Sequence, residues 1–176
     1  MQFAALLPPD SVPWPWLRTL TTARHPELTQ FADADENPWL VVRRRLEGLR
    51  LLTGGDQPEI ARIHRLVAAH LLTRRGTGVR PELERLIADS GPRLYFSQGP
   101  PDAWEVDALL ATLPHLLGGG HIDPDMLNEL AKTTMAVSDK LTTYRSLSVA
   151  SSLLGISHQS LQRLAESDPA NAALTV

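Results

Sequence analysis

The chain of 176 residues contains no cysteine, and aromatic residues make up only 5% of it. The absence of cysteine excludes disulfide bonds, thiolate metal ligands and cysteine nucleophiles. No uncharged apolar run approaches the ~20 residues that span a bilayer. The short apolar run at residues 3–7 ends at Pro8 and Pro9, unlike a secretory signal. We therefore expect a cytoplasmic protein that does not contact a membrane.

Lysine is also scarce, with two residues against fifteen arginines, and the formal net charge is −3. This negative total argues against a protein that is coated in nucleic acid. The charge is unevenly distributed, since residues 37–93 carry eleven arginines and six acidic residues, whereas residues 1–36, 94–119 and 120–176 are each net acidic. The basic surface is therefore predicted to come from the middle of the chain.

Apolar residues recur at helical spacing along most of the chain, which predicts an all-α multi-helix bundle. Asn37 and Pro38 mark the start of a helix that should run to about residue 52. A capping box at residues 56–59, DQPE, predicts a second helix over residues 57–75, antiparallel to the first. The longest irregular connection is expected at residues 90–102, with at most one minor extended segment, near Leu94–Phe96.

A run of three glycines at residues 118–120 marks a hinge. We therefore expect an N-terminal helical body over residues 1–118, for self-association or partner contact, and a C-terminal helical unit over residues 119–176. The first part of the body is rich in proline and tryptophan, and its prolines are predicted to prevent a helix before Trp16. This extended arm should pack on the body through its tryptophans, although it could also contact a protein partner.

The most specific pattern lies at residues 147–165, LSVASSLLGISHQSLQRLA. Gly155 stands where a tight turn needs a residue that tolerates positive φ. Ser157 is suited to cap a second helix, and Leu161 and Leu164 would give that helix a buried stripe. The stretch is therefore predicted to form two short helices joined by a turn.

This order of small, glycine, apolar and polar positions resembles the helix-turn-helix of DNA-binding regulators, with Ser151 where such motifs often carry alanine. The resemblance is confined to this stretch. It implies a transcriptional regulator or DNA-organising protein that binds double-stranded DNA as a homodimer. The implied contacts to bases come from His158, Gln159, Ser160, Gln162 and Arg163. Contacts to phosphates would come from Lys140 and Arg145, with a secondary basic patch at Arg43, Arg44, Arg45 and Arg50.

Two other interpretations stay open. The C-terminal stretch could be an ordinary helical hairpin, since a glycine followed by a capping serine is general helix punctuation. The whole chain could be a helical protein–protein interaction module, such as an antitoxin-like, inhibitory or assembly subunit. The net negative charge and the proline- and tryptophan-rich arm would suit such a module.

Enzymatic activity is not expected from the sequence. The triple glycine lacks the lysine of a phosphate-binding loop, and no nucleophile-elbow spacing occurs. Near that glycine run lie side chains that can bind divalent metals, namely His115, His121, Asp123 and Asp125. Because the two aspartates already serve as helix-start residues, we expect no metal site and no cofactor.

Overall fold

A computed structural model describes residues 1–29, 37–75, 78–118, 122–144 and 147–167. Most of these residues are helical, and the fold is all-α, as predicted, apart from one small sheet. The chain divides into two compact units, unit 1 (Met1–Leu83) and unit 2 (Glu84–Val176). This boundary differs from the predicted one after residue 118, because the helices on either side of the triple glycine pack against each other within unit 2.

The secondary structure of unit 1 comprises helices α1 (Gln2–Leu6), α2 (Trp14–Arg24), α3 (Pro38–Gly48) and α4 (Arg65–Arg75), a 3-10 turn (Pro26–Leu28), and strands β1 (Val12–Pro13), β2 (Leu52–Gly54) and β3 (Ile60–Ile63). Helix α5 (Arg80–Phe96) begins in unit 1 and continues into unit 2. The described part of unit 2 contains three more helices, α6 (Ala103–Gly118), α7 (Pro124–Tyr144) and α8 (Leu147–Ser167).

The helix predicted over residues 57–75 is wrong in its first part, because Ile60–Ile63 form strand β3 and only Arg65–Arg75 is helical. β3 lies between β1 and β2 and pairs antiparallel with both, so that Ala61 stands opposite Val12. The isoleucines of β3 have a spacing that also fits a helix. Local spacing does not predict the sheet, because β1, which covers one edge of β3, lies far away in the sequence.

Helix α3 begins as predicted, since the Asn37 side chain accepts a hydrogen bond from the backbone N–H of Trp39 at 3.0 Å. It ends at Gly48, before the predicted residue 52. Arg50 adopts a left-handed backbone with φ of 53°, and the N–H of Leu51 donates back to the carbonyl of Leu46 at 3.0 Å. This geometry closes the helix and leads the chain into β2.

The tryptophan-rich arm is part of the core of unit 1. Trp14 and Trp16 are each 3% exposed, and α2 begins at Trp14 with Pro15 in its first turn. The prediction that no helix forms before Trp16 is therefore wrong, because α1 ends before the first proline and because proline is tolerated in the first turn of α2. The predicted packing of the tryptophans is confirmed, whereas a protein partner of the arm stays a prediction.

Unit 2 is built around the packing of α6, α7 and α8. Among its fully or nearly buried side chains are Leu109, Leu113, Leu130, Val137 and Leu153. Helix α7 starts as predicted, because the Asp123 side chain accepts from the backbone N–H of Asp125 at 3.0 Å. Helix α6 continues through Pro114 to Gly118.

The extended segment predicted near Leu94–Phe96 is wrong, because these residues form the last turn of α5. Pro92 lies inside this helix and cannot donate a hydrogen bond to the Ala88 carbonyl. The hydroxyl of Thr133, on α7, lies 3.0 Å from that carbonyl oxygen and can donate to it. The Glu129 carbonyl of its own helix, at 3.1 Å, is the alternative acceptor. A tertiary contact thus compensates for the proline that marked a break in the sequence.

Gly91 makes this contact sterically feasible. A Cβ atom at this position would lie 2.5 Å from the Thr133 Oγ1 atom and 2.8 Å from its Cα atom. Such distances are well inside van der Waals contact, so a larger residue would push α5 away from α7. Gly91, Pro92 and Thr133 thus form a close contact between α5 and α7.

We expect Thr133→Val to lower the free energy of unfolding by about 1–3 kcal/mol, because the Ala88 carbonyl loses a buried donor. Urea denaturation followed by circular dichroism measures this loss. Thr134→Val is the matched control, since both threonines are fully buried and the Thr134 hydroxyl donates only within its own helix, to the Leu130 carbonyl at 2.8 Å. Equal losses in the two variants would contradict the role given to Thr133.

Candidate functional site

The stretch that resembles a helix-turn-helix is one continuous helix in the structure. Helix α8 runs from Leu147 to Ser167, and a Cβ atom at Gly155 would meet nothing within 4 Å. Ser157, predicted as a helix cap, is 4% exposed in the interior of α8. The predicted turn at Gly155 is therefore wrong, whereas the resemblance to DNA-binding regulators stays a prediction.

The packing of α8 explains why no turn forms. Its buried residues follow a helical spacing that passes straight across Gly155, at Ala150, Leu153, Ser157 and Ser160. This stripe of mostly small side chains packs against α7 and α6, and the Ser138 hydroxyl donates to the Ala150 carbonyl at 3.4 Å. A turn in the middle would interrupt the stripe, so burial favours a continuous helix.

Most of the residues predicted to contact bases lie on the exposed face of α8. His158, Gln159, Gln162 and Arg163 are exposed and occupy consecutive turns of this face. The outward orientation predicted for Ser160 is wrong, because this residue is 8% exposed and its hydroxyl donates to the Ile156 carbonyl at 3.0 Å.

Of the two residues predicted to contact phosphates, the structure describes only Lys140. Arg145 lies outside the described residues. The ammonium of Lys140 donates to the carbonyl of Ser97 at 2.8 Å, directly after the end of α5. A cation here complements the negative end of the helix dipole, so Lys140 stabilises the last turn of α5.

The secondary basic patch lies in unit 1, on and just after α3. Arg44, Arg45 and Arg50 are exposed. The Arg43 Nε atom lies 3.0 Å from a carboxylate oxygen of Glu47, and its guanidinium lies 4.8 Å from the ring centroid of Trp14. Arg43 therefore contributes to the packing of unit 1 as well as to the surface charge.

An apolar groove runs along the surface of unit 2 between α5 and α7, with a volume of about 440 Å³. Among the described residues of this unit, Tyr95, Phe96 and Met135 are the most exposed large hydrophobic side chains, at 61%, 77% and 61%. All three line the groove. Its other lining residues are Gly91, Pro92, Glu129, Lys132, Ala136 and Asp139.

The two aromatic residues at one edge of the groove contact each other. The ring centroids of Tyr95 and Phe96 lie 5.2 Å apart, with the rings nearly perpendicular at 89°. Charged residues of both signs surround the apolar centre. The ammonium of Lys132 lies 2.6 Å from a carboxylate oxygen of Glu129 on the same helix.

The sequence does not predict this groove. It predicts an irregular connection that includes Tyr95 and Phe96, because the Gly91–Pro92 pair is typical of a helix end. The signal that was available is the spacing of Pro92, Tyr95 and Phe96, which would place three apolar residues on one helical face.

On another side of α5, an ion pair connects it with α6, between the exposed side chain of Arg93 and the buried carboxylate of Glu105. Arg93 donates to the carboxylate of Glu105, and Glu105 is 8% exposed. Burial raises the pKa of the Glu105 carboxyl above its ordinary range, against the opposing attraction of Arg93 and with a further increase from Asp102. The ion pair therefore keeps a carboxylate in surroundings that favour its neutral form.

No protein-family model, curated protein or solved structure matches the chain. In the part of the chain that the structure describes, no group of three histidine, aspartate or glutamate side chains is placed to hold a metal ion. His121, from the predicted cluster around the triple glycine, lies outside the described residues. None of the helices among the described residues is long and apolar enough to cross a membrane.

We expect Gly155→Ala to raise the free energy of unfolding by about 1 kcal/mol, because alanine is favoured over glycine at an exposed position inside a helix. A turn with positive φ at this position would give the opposite result, since alanine would be strained there. Thermal denaturation distinguishes the two, and a decrease in Tm would contradict the continuous helix.

We expect Glu105→Gln to become more stable, relative to the wild type, as the pH rises from 4 to 8. A raised pKa means that the native state binds the proton more tightly than the unfolded state. The stabilisation that this proton gives to the wild type is complete below the ordinary glutamate pKa of about 4.3. It is lost as the pH rises through the raised pKa of Glu105. Glutamine imitates the neutral form throughout.

Urea denaturation at several pH values measures this difference. Glu82→Gln is the control, because Glu82 also faces an arginine, Arg24, at 3.7 Å but is exposed. A difference between Glu105→Gln and the wild type that does not change with pH would contradict the assignment.

Proposed function

We propose that this protein is a helical protein–protein interaction module and that the groove between α5 and α7 is its binding surface. The observation that carries the proposal is the convergence of Tyr95, Phe96 and Met135 on one groove. A contiguous apolar patch with a polar rim is typical of an interaction site.

The composition of the groove supports this function. Aromatic residues and methionine are enriched at the centres of protein interfaces, and charged residues are found at their rims. Tyr95, Phe96 and Met135 would form the centre, with Glu129 and Asp139 at the rim. All of them project from helices, so a partner helix could dock along the groove with little ordering of the chain.

DNA binding is the second candidate function. It is favoured by the exposed polar face of α8, which presents His158, Gln159, Gln162 and Arg163. Affinity for DNA depends mainly on cations that contact phosphates, and Lys140 already binds the end of α5. We therefore rank DNA binding below protein binding, while a homodimer stays our prediction for either function.

A photo-crosslinking amino acid at position 96 tests the first proposal. In cells that express the chain, we expect it to form a covalent adduct with a protein of defined mass. The same amino acid at position 66 is the control, because Leu66 is 74% exposed but belongs to unit 1, compared with 77% for Phe96. We expect Met135→Asp to remove the adduct at position 96, because a carboxylate would be desolvated in the apolar groove.

Fluorescence anisotropy on mixed DNA duplexes at low salt decides between the two candidates. Binding that is lost in the Gln159→Ala, Arg163→Ala double variant and retained in Phe96→Asp would favour DNA. A protein adduct at position 96, together with no such DNA binding, supports the interaction module. Adducts that are absent, or equally frequent at positions 66 and 96, would contradict it.

A further inference from the structure

We propose that the groove binds the same groove of a second copy of this chain, with the two α7 helices antiparallel about a twofold axis between Met135 and Ala136. This inference rests on the proposed function, because it identifies the partner of the same surface. The argument depends on the order of charges along α7.

The exposed face of α7 carries Glu129, Lys132, Met135, Asp139 and Thr142, which follow one another at helical spacing. Lys132 lies three residues before Met135, and Asp139 lies three residues after Ala136. Two helical turns, or about 10.5 Å, therefore separate the positive and the negative side chain. The apolar part of the groove lies between them.

An antiparallel pair centred between Met135 and Ala136 places Lys132 of each copy opposite Asp139 of the other. The twofold axis generates this pair of opposite charges twice, as an isologous interface requires. A parallel pair would place Lys132 opposite Lys132 and Asp139 opposite Asp139, which is unfavourable. In this register Lys132 lies between Glu129 of its own chain and Asp139 of the other, so the order of Lys132 and Asp139 is complementary to itself.

The apolar side chains suit the same arrangement. The axis brings both Met135 side chains together, and each has the Tyr95–Phe96 pair beside it. Methionine packs well against aromatic rings because its thioether is flexible and polarisable. Burial of these side chains supplies the affinity, whereas the exposed ion pairs determine the register.

Sedimentation velocity on the purified full chain tests whether it forms a dimer through this surface. We expect a dimer whose Kd rises at least about tenfold in Phe96→Asp and in Met135→Asp, because a carboxylate would be desolvated there. Leu66→Asp, at an equally exposed position of unit 1, should leave the Kd unchanged. Circular dichroism verifies that each variant is folded.

Charge reversal tests the register. Lys132→Glu alone places two acidic pairs across the interface, and Asp139→Lys alone places two basic pairs there. Each variant should therefore dimerise about tenfold more weakly than the wild type. An equimolar mixture of the two variants should form a heterodimer, because every opposing pair is then of opposite charge.

Native mass spectrometry of the mixture measures the heterodimer directly. A monomer at every soluble concentration, or a mixture that contains no more heterodimer than random association gives, would overturn the inference. A monomeric chain that still forms a specific adduct with another protein at position 96 would overturn only the self-association. Absence of both the dimer and the adduct would overturn the proposed function as well.

Discussion

The close approach of α5 to α7 at Gly91 is the constraint on which the apolar groove of unit 2 depends. A side chain at this position would collide with Thr133, so glycine alone allows the two helices to come this near. The same contact provides a hydroxyl for the carbonyl that Pro92 cannot serve. Because this contact holds α5 close to α7, the aromatic side chains in the last turn of α5 lie beside Met135 at the surface.

The sequence was sufficient to predict the all-α fold and several helix starts. Asn37 and Asp123 act as caps, as expected, because capping is a local interaction between a side chain and the next few backbone N–H groups. The sheet of unit 1 could not be predicted in the same way. Its central strand has the apolar spacing of a helix, and only its pairing with residues far away in the chain makes it a strand.

The candidate sites also depend on tertiary contacts that a local sequence pattern does not predict. A glycine such as Gly155 suits a turn, yet it also fits the exposed side of a helix, and the buried stripe on the opposite side favours the helix. The exposed polar face of α8 was predicted largely correctly, because helical spacing alone determines which residues share a face. The groove could not be predicted, since it depends on how near two helices approach and thus on a contact between Gly91 and Thr133.

The burial of the tryptophans has a practical consequence for spectroscopy. Of the four tryptophans in the chain, Trp14, Trp16 and Trp39 are buried in unit 1, and Trp104 alone belongs to unit 2. Intrinsic fluorescence therefore reports mainly on unit 1, while far-ultraviolet circular dichroism reports on the helices of both units. Unfolding curves from the two signals coincide only if the units unfold as a single cooperative system.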